Sequence, residues 1–248
     1  MPDLHPTWDV MLRRLERRAP LAEADRRALR SLPHTDRRIG PGGHIVRDGD
    51  RADTCALLLS GFAYRYKLTG EGGRQIISLH MAGEFVDLQH TFLGVADTSV
   101  QTLTQADAAF IPRTALEELS LANPAIAKAL WIDTLIDASI FREWVVNVGR
   151  RDSRARVAHI LCEFSLRLEA AGLAKDHVYE LPMTQEQLAD AVGLTSVHVN
   201  RVLKQLGDEG LIDRDRRSIR IVDWTRMRQV GDFNERYLHH DAAAVARS

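Results

Sequence analysis

The chain has 248 residues, of which 45% are hydrophobic and 27% charged, with a net charge of -1; these globular proportions exclude a disordered or collagen-like chain. A near-neutral total also excludes a uniform polycation, so any nucleic-acid surface must be concentrated on one face. Two cysteines, Cys55 and Cys162, are too few for a disulfide framework, a four-thiolate zinc site or an iron–sulfur cluster, and they fit a reducing cytoplasm. The N-terminal MPDLHPTWDVMLRRLERR mixes acids and arginines where a leader needs an apolar core. The longest apolar stretch, 125–148, is interrupted by Lys128, Asp133, Asp137, Arg142 and Glu143, so no membrane span is expected.

The first 31 residues read as two short helices, the second starting at Pro20 with Glu23 and Asp25 near its positive end. From about Arg38 to Pro112, short apolar runs alternate with turns: Gly40 to Gly43 before His44-Ile45-Val46, Asp48-Gly49-Asp50 before Cys55 to Leu59, Gly70 to Gly73 between Phe62–Leu68 and Gln75–Leu79, and Gly83 before Phe85-Val86. Turns at this spacing predict an antiparallel β-roll, barrel or sandwich. Such a roll either encloses a small ligand or is simply filled by its own side chains.

Arg113 to Asn123 is predicted as a short helix, and Pro124 opens a long one reaching Val148. Its apolar residues cover more than one stripe, and a helix apolar on two sides must bury both. The expected arrangement packs one side on the roll and the other on a second copy, with Leu130, Ile132, Leu135, Ile136, Ile140 and Trp144 as dimer-helix residues. The alternative is a helix wholly buried in a monomer. Gly149 to Asp152 reads as a hinge, followed by an amphipathic helix that Gly172 closes, and Lys175 to Leu181 as a loop with a short strand. The Ala run at 242–244 reads as a loose tail.

The stretch from Met183 to Ile212, MTQEQLADAVGLTSVHVNRVLKQLGDEGLI, carries the most information. Thr184 and Gln187 have capping-box spacing. Leu188, Ala189 and Val192 point inward from a first helix, and Gly193 sits at a turn where positive φ is cheap only for glycine. Thr195 caps a second helix whose Val199, Val202, Leu203 and Leu206 form one apolar face. Val197, Asn200, Arg201 and Lys204 repeat the same spacing on the opposite face. An apolar back and a polar, basic front are what a major-groove reader requires. Beyond Gly207 to Gly210, Leu211-Ile212-Asp213 and Ile219 to Val222 alternate like strands, joined by a basic tip. Arg214, Arg216, Arg217 and Arg220 are placed there to meet phosphates.

A glycine-punctuated roll, a long apolar helix and a winged helix-turn-helix, in that order, resemble the Crp/Fnr family of bacterial transcription regulators over about residues 20–222. Leu57-Leu58-Leu59-Ser60-Gly61 and His80-Met81-Ala82-Gly83-Glu84-Phe85 carry the resemblance in the roll. It implies an α+β fold: a jelly-roll-like antiparallel sensor roll with N-terminal helices over 1–123, a dimerisation helix over 124–149 and a winged helix-turn-helix over 150–248. It also implies a cytoplasmic homodimer with double-stranded DNA and RNA polymerase as partners. Arg201 falls on the arginine that contacts a guanine, while Thr184, Gln185, Thr195 and His198 fall at or beside backbone-contacting positions; Ser196 completes the interface.

The chain also departs from the family pattern. Members that bind cyclic AMP carry a Gly-Glu pair shortly after the position of Gly83 and an Arg-Ser pair further on; here those pairs fall on Asp87-Leu88 and Thr98-Ser99. With the phosphate-pairing arginine absent, cyclic AMP is not expected as effector, and the N-terminus lacks the cysteine cluster of iron–sulfur members. The candidate effector pocket is His80, Val86, Asp87, Leu88, Thr98 and Ser99, and haem stays open through His80 or His90, although a lone histidine is more often a satisfied polar residue. Val197 stands where the family commonly has a cytosine-accepting Glu, so the half-site should differ from the familiar one. No nucleophile elbow, P-loop or Cys–His pair argues for an enzyme. Two rivals remain: a cupin-type metal enzyme, which the scattered His44, His80 and His90 support poorly, and a ligand-binding signalling module without DNA binding, against which the basic wing argues.

Overall fold

The structure is a computed structural model that describes residues 7–51 and 53–240; the Ala run at 242–244 lies outside the described residues. Helices α1 (Thr7–Glu16) and α2 (Glu23–Arg30) precede seven strands, β1 (Thr35–Ile39), β2 (His44–Val46), β3 (Thr54–Leu58), β4 (Phe62–Leu68), β5 (Arg74–Met81), β6 (Ser99–Thr102) and β7 (Ala106–Pro112), with α3 (His90–Leu93) before β6. The strands form two antiparallel sheets, β1-β7-β3 and β2-β6-β4-β5. Alternation along β3 explains how they are covered. Ala56 and Leu58 join Ala63, Val100, Ala108 and Phe110 in the core shared by the two sheets. Cys55, Leu57 and Leu59 face the other way, into a cluster with Trp8, Met11, Leu29, Leu116, Ile126 and Leu130 from the covering helices.

Helix α4 (Arg113–Ala122) leads into α5 (Pro124–Arg150), then α6 (Ser153–Ala170), β8 (Val178–Glu180), α7 (Gln185–Val192), α8 (Ser196–Asp208), β9 (Ile212–Asp215), β10 (Ser218–Ile221) and α9 (Trp224–Val230), with a closing 3-10 turn at Glu235–Leu238. β8-β10-β9 form the third sheet. The described residues divide into two compact units, the first falling within 1–67, 78–138 and 239–248, and the second within 68–77 and 139–238. The division falls inside α5 at 138/139, not at the predicted 123/124 and 149/150, because Ile126 and Leu130 pack into the first unit's core and the Trp144 indole N–H donates to Glu163 Oε2 on α6 at 2.9 Å. No helix among the described residues is long and apolar enough to cross a membrane.

Several boundaries move. α2 begins at Glu23, not Pro20, because the Asp25 carboxylate accepts from the Ala22 N–H at 2.8 Å and fixes the cap there. α5 runs through the predicted hinge to Arg150, and the break comes at Asp152, whose carboxylate accepts from the Ala155 N–H at 2.8 Å. α8 extends to Asp208. The first wing strand moves to Ile212–Asp215 and the second to Ser218–Ile221, so the connection narrows to Arg216-Arg217, with Arg216 at φ 51°.

Among the predicted dimer-helix residues, Leu130, Ile136, Ile140 and Trp144 are buried within the single chain and cannot face a partner; Ile132 is half-buried and Leu135 exposed. The apolar residues that α5 leaves exposed are Trp131, Leu135, Phe141, Val145 and Val146.

Beyond the wing, α9 and the 3-10 turn form an element without a sequence prediction. They clamp α6: His159 Nδ1 lies 3.1 Å from the Gly231 carbonyl and Nε2 3.0 Å from the Tyr237 hydroxyl, which donates to Glu163 Oε2 at 2.8 Å. Gly231 is required by close approach, since a Cβ there would lie 2.8 Å from the His159 backbone nitrogen.

Candidate nucleic-acid interface

Helix α7 starts on a reciprocal capping box. Thr184 Oγ1 accepts from the Gln187 N–H at 3.2 Å and Gln187 Oε1 from the Thr184 N–H at 2.8 Å. It ends at Gly193, φ 65° and ψ 43°, whose left-handed backbone turns the chain into α8. Thr195 caps α8 by accepting from the His198 N–H at 3.3 Å. Leu188, Ala189 and Val192 of α7 and Val199, Val202, Leu203 and Leu206 of α8 are buried. Burial of that face leaves Ser196, Val197, Asn200, Arg201 and Lys204 in solvent, with Val197 at 69% relative exposure, while His198 is half-buried. The Gln185 amide donates to Asn200 Oδ1 at 3.3 Å, joining the start of α7 to the exposed face of α8.

The wing hangs beside this face. Arg214, Arg216 and Arg217 line a cleft of about 150 Å³ together with Met183, Thr184, Gln185 and Leu203. The basic tip and the first turn of α7 therefore share one surface, and Arg214 Nε donates to the Arg216 carbonyl at 3.3 Å across the tip. Arg220 is exposed on β10. Two contacts that the sequence did not signal brace the motif. Arg156 Nη1 donates to the Val192 carbonyl at 3.3 Å at the end of α7, and Arg154 pairs with Glu209 after α8. Arg74, in the 68–77 segment, pairs with Asp190 at 2.6 Å.

The candidate effector residues are buried and partly committed. His80 Nε2 lies 2.9 Å from Ser78 Oγ and Nδ1 3.3 Å from Glu84; burial holds the imidazole below its ordinary range. Asp87 accepts from the Ala56 N–H at 2.8 Å, with its carboxyl pushed up by burial, and Ser99 Oγ accepts from the Asp48 N–H at 3.0 Å. Thr98 Oγ1 and His90 Nδ1 are buried without a partner. Val86 belongs to the core shared by the two sheets, and Leu88 lines an apolar cavity of about 330 Å³ beside Phe92, Leu130 and Trp131. No group of three His, Cys, Asp or Glu side chains able to hold a metal occurs among the described residues.

A model of the Crp-like helix-turn-helix domain matches residues 155–230, and a model of the cyclic nucleotide-binding domain matches residues 36–123. The chain belongs to the Crp/Fnr family of transcription regulators. It is 27% identical over 239 residues to the transcriptional activator protein FnrL of Cereibacter sphaeroides, covering 94% of each chain. It is 29% identical over 187 residues to the nitrogen fixation regulation protein FixK of Rhizobium meliloti, covering 73% of this chain and 80% of that one. The solved structure of FixK2 from Bradyrhizobium japonicum has the same fold, with a TM-score of 0.71 at 23% identity over 80% of this chain and 98% of that one. As in the family, a roll is followed by long helices and a helix-turn-helix DNA-binding domain.

Proposed function

We propose that the protein is a cytoplasmic, homodimeric, sequence-specific DNA-binding regulator without enzymatic activity, which works with RNA polymerase at a palindromic promoter site. The observation that carries the proposal is the joint exposure of Asn200, Arg201 and Lys204 on α8 and of three arginines on the wing beside it. Each α8 enters a major groove, and two-fold symmetry sets half-sites about one helical turn apart. Arg201 donates to guanine O6 and N7, and Lys204 and Asn200 extend the polar face. Thr184, Gln185, Thr195, Ser196 and His198 meet or flank the backbone, and Arg214, Arg216 and Arg217 meet phosphates. The dimer forms through α5, where Trp131, Leu135 and Val145 recur with the four-three spacing of a coiled-coil seam, continued by Ala138 and Arg142 between them.

The roll supplies the signal, and cyclic AMP is not the effector, because Leu88 and Thr98 stand where a carboxylate and a guanidinium would be needed. Cys55 and Cys162 are both buried, which argues against a cluster, and both ring nitrogens of His80 are engaged, which argues against axial haem ligation through it. Selection of bound duplexes from a random library tests the reader assignment. Val197 has no polar atom, so Val197→Glu should create a cytosine preference at one symmetric position of each half-site. An unchanged preference contradicts the docking of α8.

A further inference from the structure

Arg65 stands on β4 two residues after Ala63 and opposite Val100 in the register with β6. Side chains two apart share a face, and Ala63 and Val100 both belong to the core between the two sheets. A guanidinium on that face requires a counter-charge. Nη2 donates to the Val86 carbonyl at 2.7 Å and to Gln89 Oε1 at 3.3 Å, and Nη1 to Asp137 Oδ2 at 3.2 Å. Nε is buried without a partner.

Asp137 is the only carboxylate within ion-pair distance of Arg65 among the described residues, and it comes from helix α5 rather than from the roll. The neighbouring carboxylates are committed elsewhere. Asp87 holds the Ala56 N–H, and Glu84 holds Arg14 at 2.8 Å and His80 at 3.3 Å. One turn earlier on α5, Asp133 is closed between Arg14 at 3.1 Å and Arg18 at 3.0 Å, with a side chain only 10% exposed. The Asp137 side chain is 40% exposed and reaches Arg65 through a single contact, so it is the exchangeable partner of a 10% exposed guanidinium.

We propose that Arg65 is an anion receptor whose resident occupant is Asp137: α5 supplies from within the chain the negative charge that a small carboxylate would otherwise bring to the roll. Attachment of α5 to the roll is then built in and needs no anionic effector. The proposal rests on the DNA-binding reading only where DNA affinity is the readout.

Asp137→Ala removes one carboxylate, and formate is the anion that fits the space. The variant should melt roughly 4–10 °C below wild type in chloride. Sodium formate at about 100 mM should restore at least half of that loss, relative to sodium chloride at equal ionic strength. Wild type and the double variant Arg65→Met/Asp137→Ala should not distinguish the two salts. If Asp137→Ala does not fold, Asp137→Ser leaves room for the same anion and serves in the same comparison. Unchanged melting of the single variant, equal action of formate and chloride, or an equal formate response in the double variant overturns the proposal. Fluorescence anisotropy on a selected duplex should show formate-dependent recovery of affinity in Asp137→Ala alone. If wild type binds no DNA, the DNA-binding reading fails while the melting comparison still decides the anion site.

Discussion

Leu135 and Ile136 are adjacent leucine-sized residues on α5 with opposite fates, and substituting each should separate dimerisation from folding. Leu135 keeps 53% of its exposure in the single chain and Ile136 only 4%. Full burial of such a side chain contributes about 1.5–3 kcal/mol, so the remaining half of Leu135 is worth about 1 kcal/mol per copy at a seam and about 2 kcal/mol per symmetric dimer. Leu135→Asp also sets two like charges against each other in an apolar contact, bringing the total to about 4 kcal/mol, or roughly a thousandfold in dimer dissociation constant. Ile136→Ala instead opens a cavity within one chain and should cost about 2–5 kcal/mol of folding stability. Light scattering across a concentration series, read beside thermal unfolding, separates the two effects. Leu135→Asp should be a folded monomer where wild type is a dimer, and Ile136→Ala a destabilised dimer. A monomeric wild type at micromolar concentration, or a Leu135→Asp protein as dimeric as wild type, refutes the placement of the seam.

The α6 clamp gives a pH dependence of known sign. Burial, with Arg151 adding like charge, holds His159 at about 4 against an ordinary 6.5. The unfolded chain therefore binds the extra proton first. The contribution of this group is complete above pH 6.5 and lost as pH falls toward 4, by up to about 3 kcal/mol. Burial pushes the Glu163 carboxyl up, which gives a dependence of opposite sign, so the difference between wild type and His159→Asn in denaturant titrations from pH 7 to 4 isolates the histidine. A constant difference across that range contradicts the buried neutral imidazole. Gly231→Ala should cost about 1–3 kcal/mol, because its methyl meets α6 backbone rather than a movable side chain; a neutral result in the same titration shows that the clamp gives way. Thr195→Ala should remove about 1 kcal/mol of helix-cap stabilisation and weaken DNA binding without altering the selected sequence. Calorimetric titration with cyclic AMP should show no heat of binding at micromolar concentrations, and saturable binding there contradicts the reading of Leu88 and Thr98.

What the sequence made legible follows from how many constraints each element obeys. In α8 the apolar residues Val199, Val202, Leu203 and Leu206 repeat on one face, so its exposed face follows from the sequence alone. α5 offered no such contrast: apolar residues occur all round it, and adjacent Leu135 and Ile136 are chemically alike, so only packing tells the roll side from the open side. The α9 clamp escaped because it is 7 residues long and its partners are distant, with Tyr237 meeting Glu163 across 74 positions. Arg65 did carry a signal. It lies between two tyrosines in the strand FAYRYKL, on the parity of the inward Ala63, and a buried arginine at that position calls for an anion.

The central claim, that α8 reads bases while the wing holds phosphates, is tested most directly by binding-site selection and salt titration on wild type, Arg201→Ala and Arg217→Ala side by side. Arg201→Ala should lose about 1–3 kcal/mol on the wild-type site and blur one symmetric guanine in each half-site. Arg217→Ala should keep the wild-type sequence preference, weaken all duplexes alike and reduce the salt slope by up to about one. An Arg201→Ala protein that retains the full preference, with Arg217→Ala altering it, would contradict the assignment of reader and anchor.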